Sequence, residues 1–130
     1  MNTFEPVVII SAENAAADRY TNQERTSQLR SRLLQLGLPF DGISGVFKGK
    51  EEIQFLVVTK DLELMKKLAK EFSQNAILSC DANRTATLHF SNGIEKNVGK
   101  LKQVTKEDTK TLDAFTIVRD NGKEFYFATI

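Results

Sequence analysis

The chain has 130 residues, 41% hydrophobic and 27% charged, the size and balance of a single soluble globular domain over residues 1–130. Eighteen basic against seventeen acidic residues leave a net charge of +1, which argues against nucleic acid as a partner. No apolar run is long enough to span a bilayer, Met1 to Ile10 carries no leader pattern, and one cysteine with one histidine excludes an internal disulfide and leaves almost nothing for zinc.

Pro6 to Ala12 reads as a first strand, its β-branched run suited to a central position covered on both faces. Ala15-Ala16-Ala17 lacks apolar periodicity and reads as loop. Thr21-Asn22-Gln23-Glu24 has the capping-box form, predicting a helix that turns Leu29, Leu33, Leu34 and Leu36 to a core and ends at Gly37. Arg25, Arg30 and Arg32 fall on or near its exposed surface. Phe40 to Lys48 is a second strand loosened by Gly42 and Gly45.

Gly45 to Val58 is the stretch where function is expected. It opens on glycines, turns at Lys48-Gly49-Lys50 and closes on Phe55-Leu56-Val57-Val58, a buried strand. Two adjacent carboxylates, Glu51 and Glu52, fit such a strand only at its mouth. Because side chains alternate, they point to opposite faces, and Glu52 shares its face with Gln54, Leu56 and Val58. A carboxylate at the edge of an apolar face is suited to a cationic ligand; the plainer alternative is a solvated charge pair at a turn.

Asp61 starts a second helix, with Leu64, Met65, Leu68, Ala69 and Phe72 at core spacing, and Gln74-Asn75 closes it. Ala76 to Cys80 and Thr85 to Phe90 are strands four and five, the latter with His89 on its polar, solvated face. A Cys80–His89 nucleophile pair is formally open, although both residues sit within strands. Ile94 to Lys110 is polar and lysine-rich and resists assignment, with Val98, Leu101 and Val104 as its few apolar anchors. Phe115 to Val118 and Phe125 to Phe127 form a hairpin around Asn121-Gly122. The order of the first six elements predicts an α+β fold, a ferredoxin-like β-α-β-β-α-β sandwich with extra C-terminal antiparallel strands and one open sheet face.

Several pieces of the chain, in order, resemble one family. Val8-Ile9-Ile10-Ser11-Ala12 resembles its opening strand; Asn22, Arg25 and Leu33 stand at its spacing; Gly45-Val46-Phe47 resembles its Gly-x-Tyr, and Glu51-Glu52 its Glu-Glu. Gln74 and Leu78 fit its second helix end and the strand after it, and Asp113-Ala114-Phe115-Thr116-Ile117 resembles its closing Gly-x-Phe-Thr-Ile. The family is that of the phage-encoded S-adenosylmethionine lyases, long called SAM hydrolases. The resemblance implies an enzyme that converts S-adenosylmethionine to 5′-methylthioadenosine and homoserine lactone, with no cofactor beyond the substrate itself. It implies Glu52 and Phe47 as catalytic positions, and Ser11, Ala12, Asn22, Arg25 and Gln74 as substrate-binding ones. It further implies a homotrimer with sites between subunits, acting in the host cytoplasm to deplete the methyl donor and blunt restriction.

Two departures bear on activity. Phe47 lacks the hydroxyl of the family's tyrosine, with Tyr20 as a stand-in elsewhere in the chain, and Glu52 follows Phe47 by only five residues. The alternatives are therefore a non-catalytic oligomeric module of the same fold that binds S-adenosylmethionine or a nucleotide, and an anti-defence protein working by surface binding. The near-neutral charge does not suit a DNA mimic of the latter kind.

Overall fold

Strand β1, Val7–Ile10, is four consecutive β-branched residues, all buried. It sits between β3, Lys50–Val58, and β4, Ala76–Cys80, both antiparallel to it. A strand paired on both edges and covered on both faces can use an unbroken apolar run, which is what Val-Val-Ile-Ile supplies. The structure is a computed structural model that describes residues 5–130; residues 1–4, part of the stretch read for a leader, lie outside the described residues.

Helices α1, Arg19–Gln35, and α2, Leu62–Glu71, pack on one face of these central strands. Val8, Ile10, Phe55, Val57 and Ile77 meet Leu29, Leu33, Met65, Leu68, Ala69 and Phe72 there. Full burial of each large side chain is worth about 1.5–3 kcal/mol, so this layer dominates the stability. The Arg30 guanidinium lies 5.1 Å from the Phe55 ring centroid and closes the layer from above. Arg32 reaches Glu71 of α2 at 2.9 Å, an exposed pair worth at most about 1 kcal/mol. The first helix starts earlier than the Thr21 cap expected of it. Asp18 is the N-cap and accepts the Thr21 N–H at 2.7 Å, a bond that holds the Asp18 carboxyl below its usual range. In α2 the cap is Asp61, which accepts the Leu64 N–H at 3.1 Å.

The expected ferredoxin-like sandwich with an open face is not what forms. The sheet is a closed antiparallel barrel of eight strands in the order β1-β3-β2-β7-β8-β6-β5-β4, where β2 is Phe40–Phe47, β5 Thr85–Phe90, β6 Glu95–Val104, β7 Ala114–Asp120 and β8 Lys123–Thr129. The physical reason lies in the segment that resists assignment. Residues 95–104 form a full strand that pairs with β5 on one side and β8 on the other, while β7 pairs with β2. The sheet therefore runs past β4 and β2 and returns on itself instead of ending at two edges. A short 3-10 helix, Asp108–Thr111, links β6 to β7.

A bulge explains why β6 escapes detection. Ala86 pairs with Gly99 but Thr87 with Asn97, so Val98 is an extra residue without a partner. Val98 and Leu101, three apart, thus share a face that strict alternation would deny them. The glycine is required: Gly99 has φ +95°, and a Cβ there would collide with the Ile130 carbonyl, which itself accepts the Lys100 N–H at 2.9 Å.

His89 is 7% exposed, not solvated as expected, because the helix-side face it shares with Ile77 is covered. Its Nε2 lies 2.7 Å from the Ser79 hydroxyl and its Nδ1 3.1 Å from Glu95. Cys80 pairs in register with Ala86, on the opposite face of the sheet, so no Cys–His nucleophile pair forms. Burial pushes the Cys80 thiol up, away from reactive thiolate.

Gly99→Ala is expected to cost about 1–3 kcal/mol, the range for a side chain forced into a disfavoured backbone region. Urea unfolding should show a lower midpoint with an unchanged slope. Gly42→Ala, where an added Cβ meets open space, is the control and should move the midpoint little.

Candidate functional site

A cavity of about 1220 Å³ is lined by all eight strands and by the loops at one end of the barrel. Each of the eight strands contributes to its wall: Ile9, Gly45, Gln54, Leu78, Leu88, Leu101, Thr116 and Phe127 all line it. The register shows why. Ile9 stands opposite Leu78, which stands opposite Leu88, and Thr116 opposite Phe127, so these side chains share the inner face. The strand wall is mostly apolar, with Gln54, Thr116 and Thr129 among its polar members. The mouth is polar, built from Ser11, Glu13 and Asn14 of the loop after β1, Asn22 and Gln23 of α1, Ser73 to Asn75 before β4, and Glu52.

Glu52 is half-buried at this mouth, and its Oε1 accepts a hydrogen bond from Gln54 Nε2 at 2.9 Å. The two are neighbours on one face of β3, as alternation requires. Gln54 is held in turn by a glycine. Gly45 stands directly opposite Glu52 in the ladder, and a Cβ at residue 45 would overlap the Gln54 amide. The absent side chain is the space in which Gln54 lies. Glu51 faces the other way and pairs with Arg119 at 3.3 Å on the barrel's outer surface. Arg119 there also donates to Ser44 Oγ and Glu124, both at 2.9 Å.

The loop after β1 is sewn to β3 beside Glu52. Ser11 Oγ donates to the Ile53 carbonyl at 3.0 Å and accepts the Glu13 N–H at 3.1 Å, while Glu13 Oε2 accepts the Ile53 N–H at 2.5 Å. Asn22 holds both polar groups of the Asn14 backbone, accepting its N–H at 2.8 Å and donating to its carbonyl at 3.1 Å. Gln74 Nε2 donates to the Glu13 carbonyl at 3.1 Å and the Phe72 carbonyl at 3.3 Å. Arg25 donates Nε to the Ala12 carbonyl at 2.6 Å and a terminal nitrogen to the Phe72 carbonyl.

Of the residues singled out in the sequence, Ser11, Asn22, Phe47, Glu52 and Gln74 line the one cavity. Ala12 and Arg25 stand behind its wall: Ala12 is 1% exposed in the helix-side core, and the Arg25 guanidinium is engaged by two carbonyls. Phe47 sits on the rim, 60% exposed, with the Lys48 ammonium 5.3 Å from its ring centroid. Tyr20 is 79% exposed and outside the lining, and the Tyr126 hydroxyl donates to Glu124 at 2.7 Å, so no tyrosine hydroxyl reaches the cavity among the described residues.

Sequence reasoning missed Glu13, Gln54, Thr26 and Thr116. A signal for Gln54 existed, since it shares the face of Glu52 one pleat along. Thr26 is buried on the core stripe of α1 with Leu29 and Leu33, and its Oγ1 has no hydrogen-bond partner among the described residues. Among the described residues no group of His, Cys, Asp and Glu could hold a metal ion, and no helix is long and apolar enough to cross a membrane. The arrangement suits a ligand with an apolar body and a cationic centre placed near Glu52 and Glu13 at the mouth.

Arg25→Met removes the donor from the Ala12 carbonyl, whereas the Phe72 carbonyl keeps Gln74. The expected loss is about 1.5–3 kcal/mol, the range for hydrogen bonds to a charged group. Hydrogen exchange should quicken most in residues 11–17 and 72–76, the two segments that Arg25 ties together.

No curated protein sequence matches this chain. A family model described as the S-Adenosylmethionine lyase family matches residues 8–128, from within β1 to within β8, and so reaches every strand of the barrel. The chain therefore belongs to the S-adenosylmethionine lyase family, a family of enzymes.

Proposed function

We propose that the chain cleaves S-adenosylmethionine by intramolecular displacement, giving 5′-methylthioadenosine and homoserine lactone. A carboxylate oxygen of the substrate's methionine attacks its own γ-carbon. The C–O bond forms, the C–S bond breaks, and the bonding pair goes to the sulfonium sulfur; no external base or acid is needed. The observation that carries this reading, beside family membership, is Glu52: a carboxylate fixed by Gln54 at the mouth of a mostly apolar barrel lumen.

The chemistry asks two things of the protein. The methionine chain must be folded into a near-attack geometry, which replaces a rare encounter by a held one. Water must be kept away, because sulfonium and carboxylate neutralise each other in the transition state and solvation favours the charged ground state. Glu52 supports the first by holding the sulfonium region, without acting as a base. The lumen wall of Ile9, Leu78, Leu88, Leu101 and Phe127 supports the second. A phage-encoded protein with this activity would starve methyltransferases and methyl-donor-dependent restriction in the host cytoplasm. Assembly as a homotrimer with sites at subunit contacts is part of the proposal. It is supported by Phe47 and Ile53, large apolar side chains left 60% and 45% exposed at the mouth.

Glu52→Gln keeps shape and removes charge. Cleavage, followed by chromatography of S-adenosylmethionine, should fall roughly 10²–10³-fold with folding unchanged, by analogy with loss of one preorganised electrostatic group. Glu51→Gln should change it little. Gly45→Ala, which pushes Gln54 off Glu52, should cost roughly 10–100-fold, the scale of a small misplacement. Full activity in Glu52→Gln would overturn the mechanism. Substrate bound but left intact by the unmodified protein would instead favour a binding module and direct attention to Phe47, with Phe47→Tyr as the restoring change.

Light scattering at micromolar concentration should return three times the chain mass, and Phe47→Ser should lower it. A monomer in the unmodified protein would remove the subunit-contact site from the proposal.

A further inference from the structure

One row of the inner face carries polar groups that the mechanism leaves unused. Glu52 on β3 stands opposite Gly45 on β2, Gly45 opposite Thr116 on β7, and Thr116 opposite Phe127 on β8. Directly paired residues point to the same side of a sheet, so Thr116 faces the lumen with Glu52, and it lines the cavity half-buried. Because Gly45 has no side chain, the Gln54 amide lies over it, between the carboxylate and the threonine. That amide has a fixed sense. Its Nε2 donates to Glu52 Oε1 at 2.9 Å, since only the nitrogen can face an anion, and this turns the amide oxygen away from the carboxylate. Among the described residues neither Gln54 Oε1 nor the Thr116 hydroxyl has a hydrogen-bond partner. An acceptor and a hydroxyl thus stand free on one row of a mostly apolar wall.

Resting on the reading of this cavity as the S-adenosylmethionine site, we propose that Thr116 and Gln54 Oε1 bind the ribose diol of the substrate, with Thr116 as a specificity-determining contact. Gln54 Oε1 can only accept a hydrogen bond, and the threonine hydroxyl can give or accept one; a vicinal diol answers both. The methionine end answers them less well. Its cations are matched by Glu13 and Glu52 at the mouth, and its carboxylate, an acceptor only, cannot pair with Gln54 Oε1. Reach agrees. Opposed strand residues are about 4.5–5.5 Å apart, so the backbone span from Glu52 across Gly45 to Thr116 is roughly 9–11 Å, which a sulfonium-linked ribose can bridge. The order along the row, carboxylate, polar pair and the Phe127 ring, is also the order of sulfonium, ribose and adenine in the substrate.

The test leaves Gln54 intact, because it also holds Glu52, and varies the ligand and Thr116 instead. Calorimetry compares 5′-methylthioadenosine with its 2′-deoxy and 3′-deoxy counterparts. The unmodified protein should bind 5′-methylthioadenosine roughly 3- to 10-fold more tightly than either counterpart. Thr116→Val, which keeps the branched shape and removes the hydroxyl, should weaken 5′-methylthioadenosine by a similar factor and abolish its advantage over one of the two. Thr116→Ser should keep both the affinity and the preference. Equal binding of the three nucleosides by the unmodified protein overturns the inference without recourse to any variant. An equal loss for all three in Thr116→Val also overturns it, since that would mark the residue as packing alone. If the unmodified protein binds neither 5′-methylthioadenosine nor S-adenosylmethionine, the reading of the cavity fails, and the inference with it.

Discussion

A sheet edge exposes a row of backbone donors and acceptors that must be paired, covered or solvated, and this chain meets that demand by pairing. The ladder between β6 and its two neighbours is what makes the barrel possible. Leu101 to Val104 pair with Tyr126 to Thr129, and Thr85 to His89 with the residues from Glu95 to Lys100. Without β6, strands β5 and β8 would each end in open edges, a hazard for misassociation. With it, the inner faces of eight strands surround one space, and the cavity exists because the ladder closes.

The two faces of the central strands then divide the work. The outer face of β1, β3 and β4 is packed against α1 and α2 and supplies the rigid layer of the molecule. The inner face carries the lumen. Glu52 belongs to the inner face and Glu51 to the outer one, so a single peptide step separates a carboxylate at the cavity from one tied to Arg119. The mouth is stiffened from behind: Arg25 bonds the Ala12 and Phe72 carbonyls, and Gln74 bonds Glu13 and Phe72. Side chains aimed at each other's backbone keep two loops in place around the opening.

Much of this was legible in the chain, for identifiable reasons. Ala76–Cys80 and Thr85–Phe90 have the bounds their alternation and turns suggest, and Asn121 and Gly122 adopt positive φ, +51° and +78°, as a tight hairpin requires. The opposed directions of Glu51 and Glu52 follow from the pleat alone. The barrel was not legible, because its closing strand is polar and slips register at Val98, which breaks the alternation between Val98 and Leu101. The cap at Asp18 was missed because Thr21 and Glu24 imitate a capping box that the backbone does not use. At the site, residue type could not show that Arg25 is spent on carbonyls.

The vacancy at Gly45 ties two positions of the sequence together. Gln54 occupies the volume that any side chain at residue 45 would need. A change at either residue therefore reaches Glu52. A lineage that gains a Cβ at residue 45 swings the flexible Gln54 amide aside, and one that shortens residue 54 removes it; either way Glu52 loses the amide that holds it. Both orders of single substitution loosen the carboxylate, so selection for a held Glu52 bears on residues 45 and 54 together across the ladder.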